Sequence, residues 1–231
     1  MSDYGFEAYN DDHAVLIGED YSNYVLWDSG STHTVEIPRA GWPSRYVVEV
    51  SFPNSPVPPL IGVRITTNPG TGLNLINSRH EKDLTNTFWN GYTFANQWGT
   101  SECYFDYYIF IPAENMPTPS DTHGLQVFSS AGAQIFHSGY KYLTIRDIQL
   151  TPWIPRADYG ENWETATHVS VPNAMYLISA LEGVGPYPPC INPLSNTQCQ
   201  IARPILSDSS GVATYAYGPA FQQVVVCDIP V

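Results

Sequence analysis

Charge is what this sequence has least of. Of its 231 residues, 13% are charged, nine Lys and Arg stand against 22 Asp and Glu, and the net charge is −13; an average soluble protein carries about twice that charged share. Without a basic stripe there is little to release counterions from a phosphate backbone or to hold an anionic lipid surface, which excludes nucleic-acid and electrostatic membrane binding. Long apolar runs are also missing: Val224–Cys227 is of strand length and far too short to cross a bilayer. The opening Met1-Ser-Asp-Tyr-Gly-Phe-Glu7 has neither a basic nor an apolar leader segment, so no secretory signal is expected. Cysteine is limited to four residues. Cys190 and Cys199 flank a Pro/Asn/Ser loop and form a candidate disulfide, although reduced thiols suit a chain without a leader better.

Catalytic signatures are scarce as well. The histidines at 13, 33, 80, 123, 137 and 168 form no His-x-x-x-His or His-Glu-x-x-His, and no Cys-x-x-Cys accompanies them, so no metal site or cofactor is expected. There is no Gly-x-Ser-x-Gly elbow and no phosphate loop. The acidic residues Asp11-Asp12, Glu19-Asp20, and Glu161 and Glu164 around Trp163 read as solvated turns in preference to a calcium site.

What the chain does have is rings and turn formers: 16 Tyr, nine Phe, six Trp, 20 Pro and 17 Gly. That composition favours strands joined by tight turns. Alternation predicts strands near 5–9, 13–17, 22–27, 33–37, 45–52, 60–67, 102–112, 124–128, 133–137 and 142–150, and shorter ones near 167–171, 175–181, 200–204, 212–217 and 222–229. Tyr46, Val48, Val50 and Phe52 should share one face. Cys103–Ile111 is apolar on both faces with Asp106 its only charge, the pattern of a central strand. The stretch 68–97 reads as irregular. Thr151-Pro-Trp-Ile-Pro-Arg156 reads as a stiff linker, giving an antiparallel β-sandwich over 1–150 and a smaller β domain over 157–231. The fold class expected is all-β.

Two stretches carry candidate chemistry. Val25-Leu-Trp-Asp-Ser-Gly-Ser-Thr32 resembles the catalytic turn of aspartic proteases, in which two aspartates share a proton. Only Asp28 qualifies here, since Asp208-Ser-Ser-Gly211 carries an extra serine, and Leu60-Ile-Gly62 is a weak echo of a further element of that family. The alternative is a hairpin turn with Gly30 at positive φ. Trp89, Tyr92, Phe94 and Trp98 combine rings with amide and hydroxyl neighbours and could stack sugars, or fill a core or interface.

One hairpin is written twice. Gly5-Phe-Glu-Ala-Tyr-Asn-Asp-Asp-His-Ala-Val-Leu-Ile17 is matched by Gly124-Leu-Gln-Val-Phe-Ser-Ser-Ala-Gly-Ala-Gln-Ile-Phe136, 119 positions on (5 against 124), and Tyr21 and Tyr140 follow at the same spacing. These segments resemble minor tail and tail-tip proteins of long-tailed bacteriophages. The shared features are Met1-Ser-Asp-Tyr-Gly-Phe-Glu-Ala-Tyr-Asn10 followed by Tyr21-Ser-Asn-Tyr-Val-Leu26, and Gly124-Leu-Gln-Val-Phe128 followed by Phe136-His-Ser-Gly-Tyr-Lys-Tyr-Leu-Thr-Ile145. His137 stands where that family has aspartate. The resemblance covers short motifs framing residues 1–150. It implies a virion component of the distal tail without enzymatic activity, made in the host cytoplasm. Its implied partners are other tail proteins, further copies of itself with a trimer favoured, and a bacterial surface receptor. The same residues leave two other readings open, a carbohydrate- or host-surface-binding module and an aspartic protease-like enzyme.

Overall fold

The computed structural model describes residues 8–9, 15–17, 23–39, 42–66, 77–82, 88–96, 102–117, 124–152, 162–178, 190–203, 206–207, 213–214 and 221–229. The chain is all-β, built of antiparallel sheets. Its first half holds β1 (Ala8–Tyr9), β2 (Val15–Ile17), β3 (Tyr24–His33), β4 (Val35–Arg39), β5 (Trp42–Ser55), β6 (Leu60–Ile65), β7 (Asn77–Lys82), β8 (Trp89–Asn96) and β9 (Tyr104–Pro112). A 3-10 turn, Ala113–Asn115, follows. The second half holds β10 (Gln126–Phe128), β11 (Gln134–His137), β12 (Ile145–Pro152), β13 (Asn162–Thr167), β14 (Met175–Leu177), β15 (Cys190–Ser195), β16 (Gln198–Arg203), β17 (Leu206–Ser207), β18 (Ala213–Thr214) and β19 (Phe221–Cys227).

The hairpin repeat is present in the structure, and the described strands beyond it repeat as well. In the first hairpin Ala8 opposes Ile17 and Tyr9 opposes Val15; in the second Val127 opposes Phe136 and Phe128 opposes Gln134. These are the same rungs 119 positions apart (8 against 127), with the register shift at the same step. The next strands repeat too. β3 steps from Leu26·Phe110 to Asp28·Ile109, leaving Trp27 as the extra residue, and β12 steps from Ile145·Cys227 to Asp147·Val226, leaving Arg146. A bulge kept at one position is a device that bends the strand there.

The main sheet runs β12-β19-β14-β6-β9-β3, so each half supplies three strands in mirrored order. At its centre Gly62 opposes Leu177, flanked by Val63·Tyr176 and by the Ile178 N–H donating to Ile61 C=O at 2.9 Å. Gly62 and Leu177 are themselves equivalent, because Leu60·Phe110 in one half matches Met175·Cys227 in the other. A local two-fold therefore passes between them. The same axis recurs on the far side, where Leu26 N–H donates to Lys141 C=O at 2.7 Å and Leu143 N–H to Tyr24 C=O at 3.0 Å. Val25 bridges Tyr142 there. These bonds join β3 to the residues just before β12 and close the six strands into a ring. The remaining strands follow suit: β5-β8-β7 in the first half corresponds to β13-β16-β15 in the second, and among the described residues β4 extends the first. The equivalent edges β7 and β15 run beside each other.

Alternation then decides what is buried. On β9, Tyr108 and Phe110 face into the ring with Leu60, Met175, Leu177, Val225, Cys227, Tyr24 and Leu143. Phe105 and Ile109 face outwards, against Ile61, Val63, Tyr176 and Val226 of the same sheet, Val50, Phe52, Tyr92 and Phe94 of the first outer sheet, and Ile191 and Cys199 of the second. Both outer sheets thus share one core with the main sheet. Each fully buried side chain of this size contributes about 1.5–3 kcal/mol. The predicted central position of β9 and the shared face of Val48, Val50 and Phe52 hold.

Three expectations do not. The boundary at 151–156 does not divide the molecule, since Thr151 and Pro152 pair with Gln222 and Phe221 inside β12, and β14 and β19 sit in the same sheet as β3, β6 and β9. A proline is tolerated there because β12 ends the sheet's hydrogen-bonded order, where one side of the strand needs no donor. The stretch 68–97, read as irregular, contains β7 and β8. Residues 168–171, expected in a strand, lie outside one, while 162–167 form β13.

Candidate binding face

Register brings together three residues far apart in sequence. Ser31 of β3 and Arg64 of β6 both stand directly opposite Asp106 of β9, one from each side. Ser31 Oγ donates to Asp106 Oδ1 at 2.6 Å, Arg64 Nε donates to Oδ2 at 2.8 Å, and a terminal guanidinium nitrogen of Arg64 closes the fork on the same oxygen. The Asp106 side chain keeps 13% exposure and that of Arg64 32%, so the carboxylate is largely covered by its own partners. Charge-assisted forked pairs of this kind fix geometry as well as energy.

Along the same face, two residues towards the open edge, His33 opposes Tyr104 with ring centroids 4.8 Å apart and planes at 18°. Tyr104 is 47% exposed. Its hydroxyl donates to Glu102 Oε2 at 2.8 Å, and that bond, then the carboxylate's charge, raises the phenol pKa. Two residues inwards Ser29 opposes Tyr108, the floor of the face, whose phenol pKa is raised by burial and pulled in opposite directions by Arg64 and Asp106. The face is thus a stacked ring pair, two serine hydroxyls and a neutralised ion pair. It continues the inner surface of the ring at the stretch where β3 has left its contact with residues 141–143.

At the matching rungs the second half carries different residues. Ser29 corresponds to Ile148, which is 48% exposed, and the Ser31·Asp106 pair to Leu150·Gln223; Ile145, 49% exposed, corresponds to Leu26, which is apolar as well. The same register carries Ser29, Ser31 and Asp106 in one half and Ile148, Leu150 and Gln223 in the other. The fold therefore does not require the polar set.

The sequence-predicted residues fall elsewhere. Tyr92 and Phe94 are core residues at 3% and 1% exposure, packed ring against ring at 5.0 Å, with Phe94 4.8 Å from Phe105. Trp89 of β8 is half-buried against that core, and Trp98 lies outside the described residues. A sugar platform over 88–98 is therefore corrected: where described, these rings fill the interior because β8 turns alternate residues onto the main sheet.

Asp28 is not in a turn. Asp28-Ser-Gly-Ser31 lies inside β3, and Gly30 is extended. Glycine is required there because a Cβ would come 2.6 Å from the Tyr107 hydroxyl of the opposing strand. Asp28 Oδ1 accepts from Ser29 N–H at 2.9 Å, stabilising the residue after the bulge. Its equivalent, Asp147, accepts from the next residue likewise, and from Val169 N–H at 2.8 Å and Gln149. Each aspartate lies four residues past the Tyr24·Leu143 axis (24 to 28, 143 to 147), in opposite directions, so about 26 Å of extended chain separates their levels. One chain does not bring these two aspartates into a dyad.

The candidate disulfide is likewise corrected. Cys199 is a free, fully buried thiol, whose pKa burial pushes up to about 12. Cys190 opposes Ala202 while Cys199 opposes Pro193, three rungs away (190 to 193), about 10 Å along the strands and beyond disulfide reach. His168 is a buried structural histidine, with ring nitrogens 2.8 Å from Val169 C=O and 3.0 Å from the Tyr176 hydroxyl. His137, at the position of the expected aspartate, is also buried, with Nδ1 accepting from Gly139 N–H at 3.0 Å. The acidic residues 11, 12, 19, 20 and 161 lie outside the described residues. Among the described residues, no group of three or more His, Cys, Asp or Glu is placed to hold a metal ion, and no helix is long and apolar enough to cross a membrane.

Sequence reasoning missed Arg64, Ser31, His33 and Tyr104. The available signal was two lone, opposite charges, Asp106 and Arg64, each inside an otherwise apolar strand. The chain matches no known family, no curated protein and no solved structure.

Proposed function

We propose that this chain is a structural subunit of the distal tail of a long-tailed bacteriophage, built into the tail tip, baseplate or fibre and contributing to host attachment. The observation that carries the reading is the hairpin pair. The segments that resemble tail proteins, 5–17 and 124–136, take the same rungs and the same bulge, so the motifs are load-sharing parts of a repeated scaffold. The scarcity of charge supports it further: a surface of Tyr, Ser, Thr and Asn packs against protein neighbours with little repulsion or desolvation cost. On this reading the partners are other tail proteins and copies of the chain itself, with a trimer favoured, and the protein is made in the host cytoplasm before joining the virion. The test is immuno-electron microscopy of purified particles with antibody to the recombinant protein. Label at the distal tail is expected; particles that carry no label, and no peptide of the chain by mass spectrometry, overturn the proposal.

A further inference from the structure

We propose that the face formed by Ser29, Ser31, His33, Arg64, Tyr104 and Asp106 binds a neutral saccharide; this rests on the host-attachment part of the reading above and names the site and the ligand class.

The argument begins from what the fold does not need. At matching rungs the second half places Ile148, 48% exposed, for Ser29 and pairs Leu150 with Gln223 where Ser31 pairs with Asp106, and folds the same way. A largely covered carboxylate forked by an arginine is costly to desolvate and gives little net stability compared with apolar packing. Its presence in one half alone therefore calls for a ligand. The shape of the set then selects that ligand. Tyr104 and His33 are stacked at 4.8 Å and present a flat ring system at the rim, and an aromatic ring with a polar tip suits the C–H face of a sugar. Asp106 lies two residues along the strand from Tyr104, about 7 Å away, roughly the width of a sugar ring. There the hydroxyls of Ser29 and Ser31 and the forked Arg64–Asp106 pair offer donors and acceptors side by side for adjacent sugar hydroxyls.

Charge makes the ligand neutral. Arg64 already spends its fork on Asp106, Glu102 lies at the rim beside the Tyr104 hydroxyl, and the whole chain carries −13. An acidic glycan would be repelled. A protein partner would favour an apolar centre with few charges, which describes the Ile145 and Ile148 strip better than this face.

The test uses the full chain and saturation-transfer NMR with neutral oligosaccharides of glucose, galactose, rhamnose and N-acetylglucosamine, plus sialyllactose as an acidic comparator. Transfer to at least one neutral sugar and none to sialyllactose is expected. Titration calorimetry on that sugar should show binding weakened about tenfold or more, some 1.4 kcal/mol, by Tyr104→Ala and by Ser31→Ala. Both variants should melt like the parent, and Ile148→Ser, at the matching position of the other half, should bind as the parent does. No transfer to any neutral sugar, or binding that Tyr104→Ala leaves intact, overturns the proposal. A chain that binds sugar but is absent from particles keeps the saccharide site and removes the tail assignment; a chain present in particles that binds none of the sugars does the reverse.

Discussion

At Leu26 and at Ile145 the two halves of the chain make the same bulge against the same rung, yet three residues on one carries Ser29 and the other Ile148. The backbone repeats and the chemistry does not. Inside the ring the equivalent pairs are Phe110 and Cys227, Tyr108 and Val225, Leu60 and Met175, all apolar but of different sizes. Burial constrains polarity and total volume, while register and bulges constrain shape, and neither fixes identity. The exposed rungs are constrained by neither, so they are where the halves part company.

The sharpest break of that comparison is to impose symmetry at the axis. Gly62 faces its own equivalent, Leu177, and a Cβ on Gly62 would come 2.5 Å from Met175 Sδ. Gly62→Leu should cost upwards of about 3 kcal/mol through overpacking, read by urea denaturation. A smaller change would leave Met175 free to move aside and the asymmetry at the axis incidental. Removing one partner of the ion pair comes next. Arg64→Met leaves the Asp106 carboxylate largely covered without its counter-charge, and should cost about 2 kcal/mol. The double variant Arg64→Met with Asp106→Leu, which removes both charges from the face, should recover most of the loss.

Alkali provides a graded test. Burial raises the Cys199 and Cys227 thiols from 9.0 to about 12. Above the unfolded value the unfolded chain releases these protons and the folded chain holds them, so their stabilisation is complete below pH 9 and is lost as pH rises towards 12. The unfolding free energy from urea titrations should fall by about 1 kcal/mol per thiol for each pH unit in that window, and a flat profile would show that the thiols are not held as buried neutral groups. The smallest effect is expected at Asp28. Asp28→Asn should change stability by less than about 1 kcal/mol, and acid incubations of parent and variant alike should yield no pepstatin-sensitive cleavage. Acid cleavage that the substitution abolishes would instead make Asp28 catalytic.

The strands that could be read from sequence are β5, whose alternation is strong, β9, a strand-length run apolar on both faces, and the hairpins, where a glycine start, a ring and a small-residue turn keep the pattern visible. β7 and β8 could not be read because Asn77–Lys82 is polar throughout and Asn90, Gly91 and Thr93 dilute the rings around them. The apparent linker misled for a local reason: Pro152 suits a terminal strand of the sheet as well as a break. The aromatic cluster at 88–98 was visible as a cluster, but rings of that density fill cores as readily as they line sites. The binding face was hidden more deeply, since Ser31, Arg64 and Asp106 lie in three separate strands and become neighbours only through register.

The axis through Gly62·Leu177 and Tyr24·Leu143 has a consequence for what the molecule is able to be. Two separate copies of such a half, meeting across a two-fold, would be obliged to display the same face twice, because every residue of one copy would have its twin on the other. Tethering the halves in a single polypeptide lifts that obligation. Each can then be altered without altering its counterpart, and one object acquires two dissimilar ends, a polar one that can meet a ligand and an apolar one that can meet a neighbour.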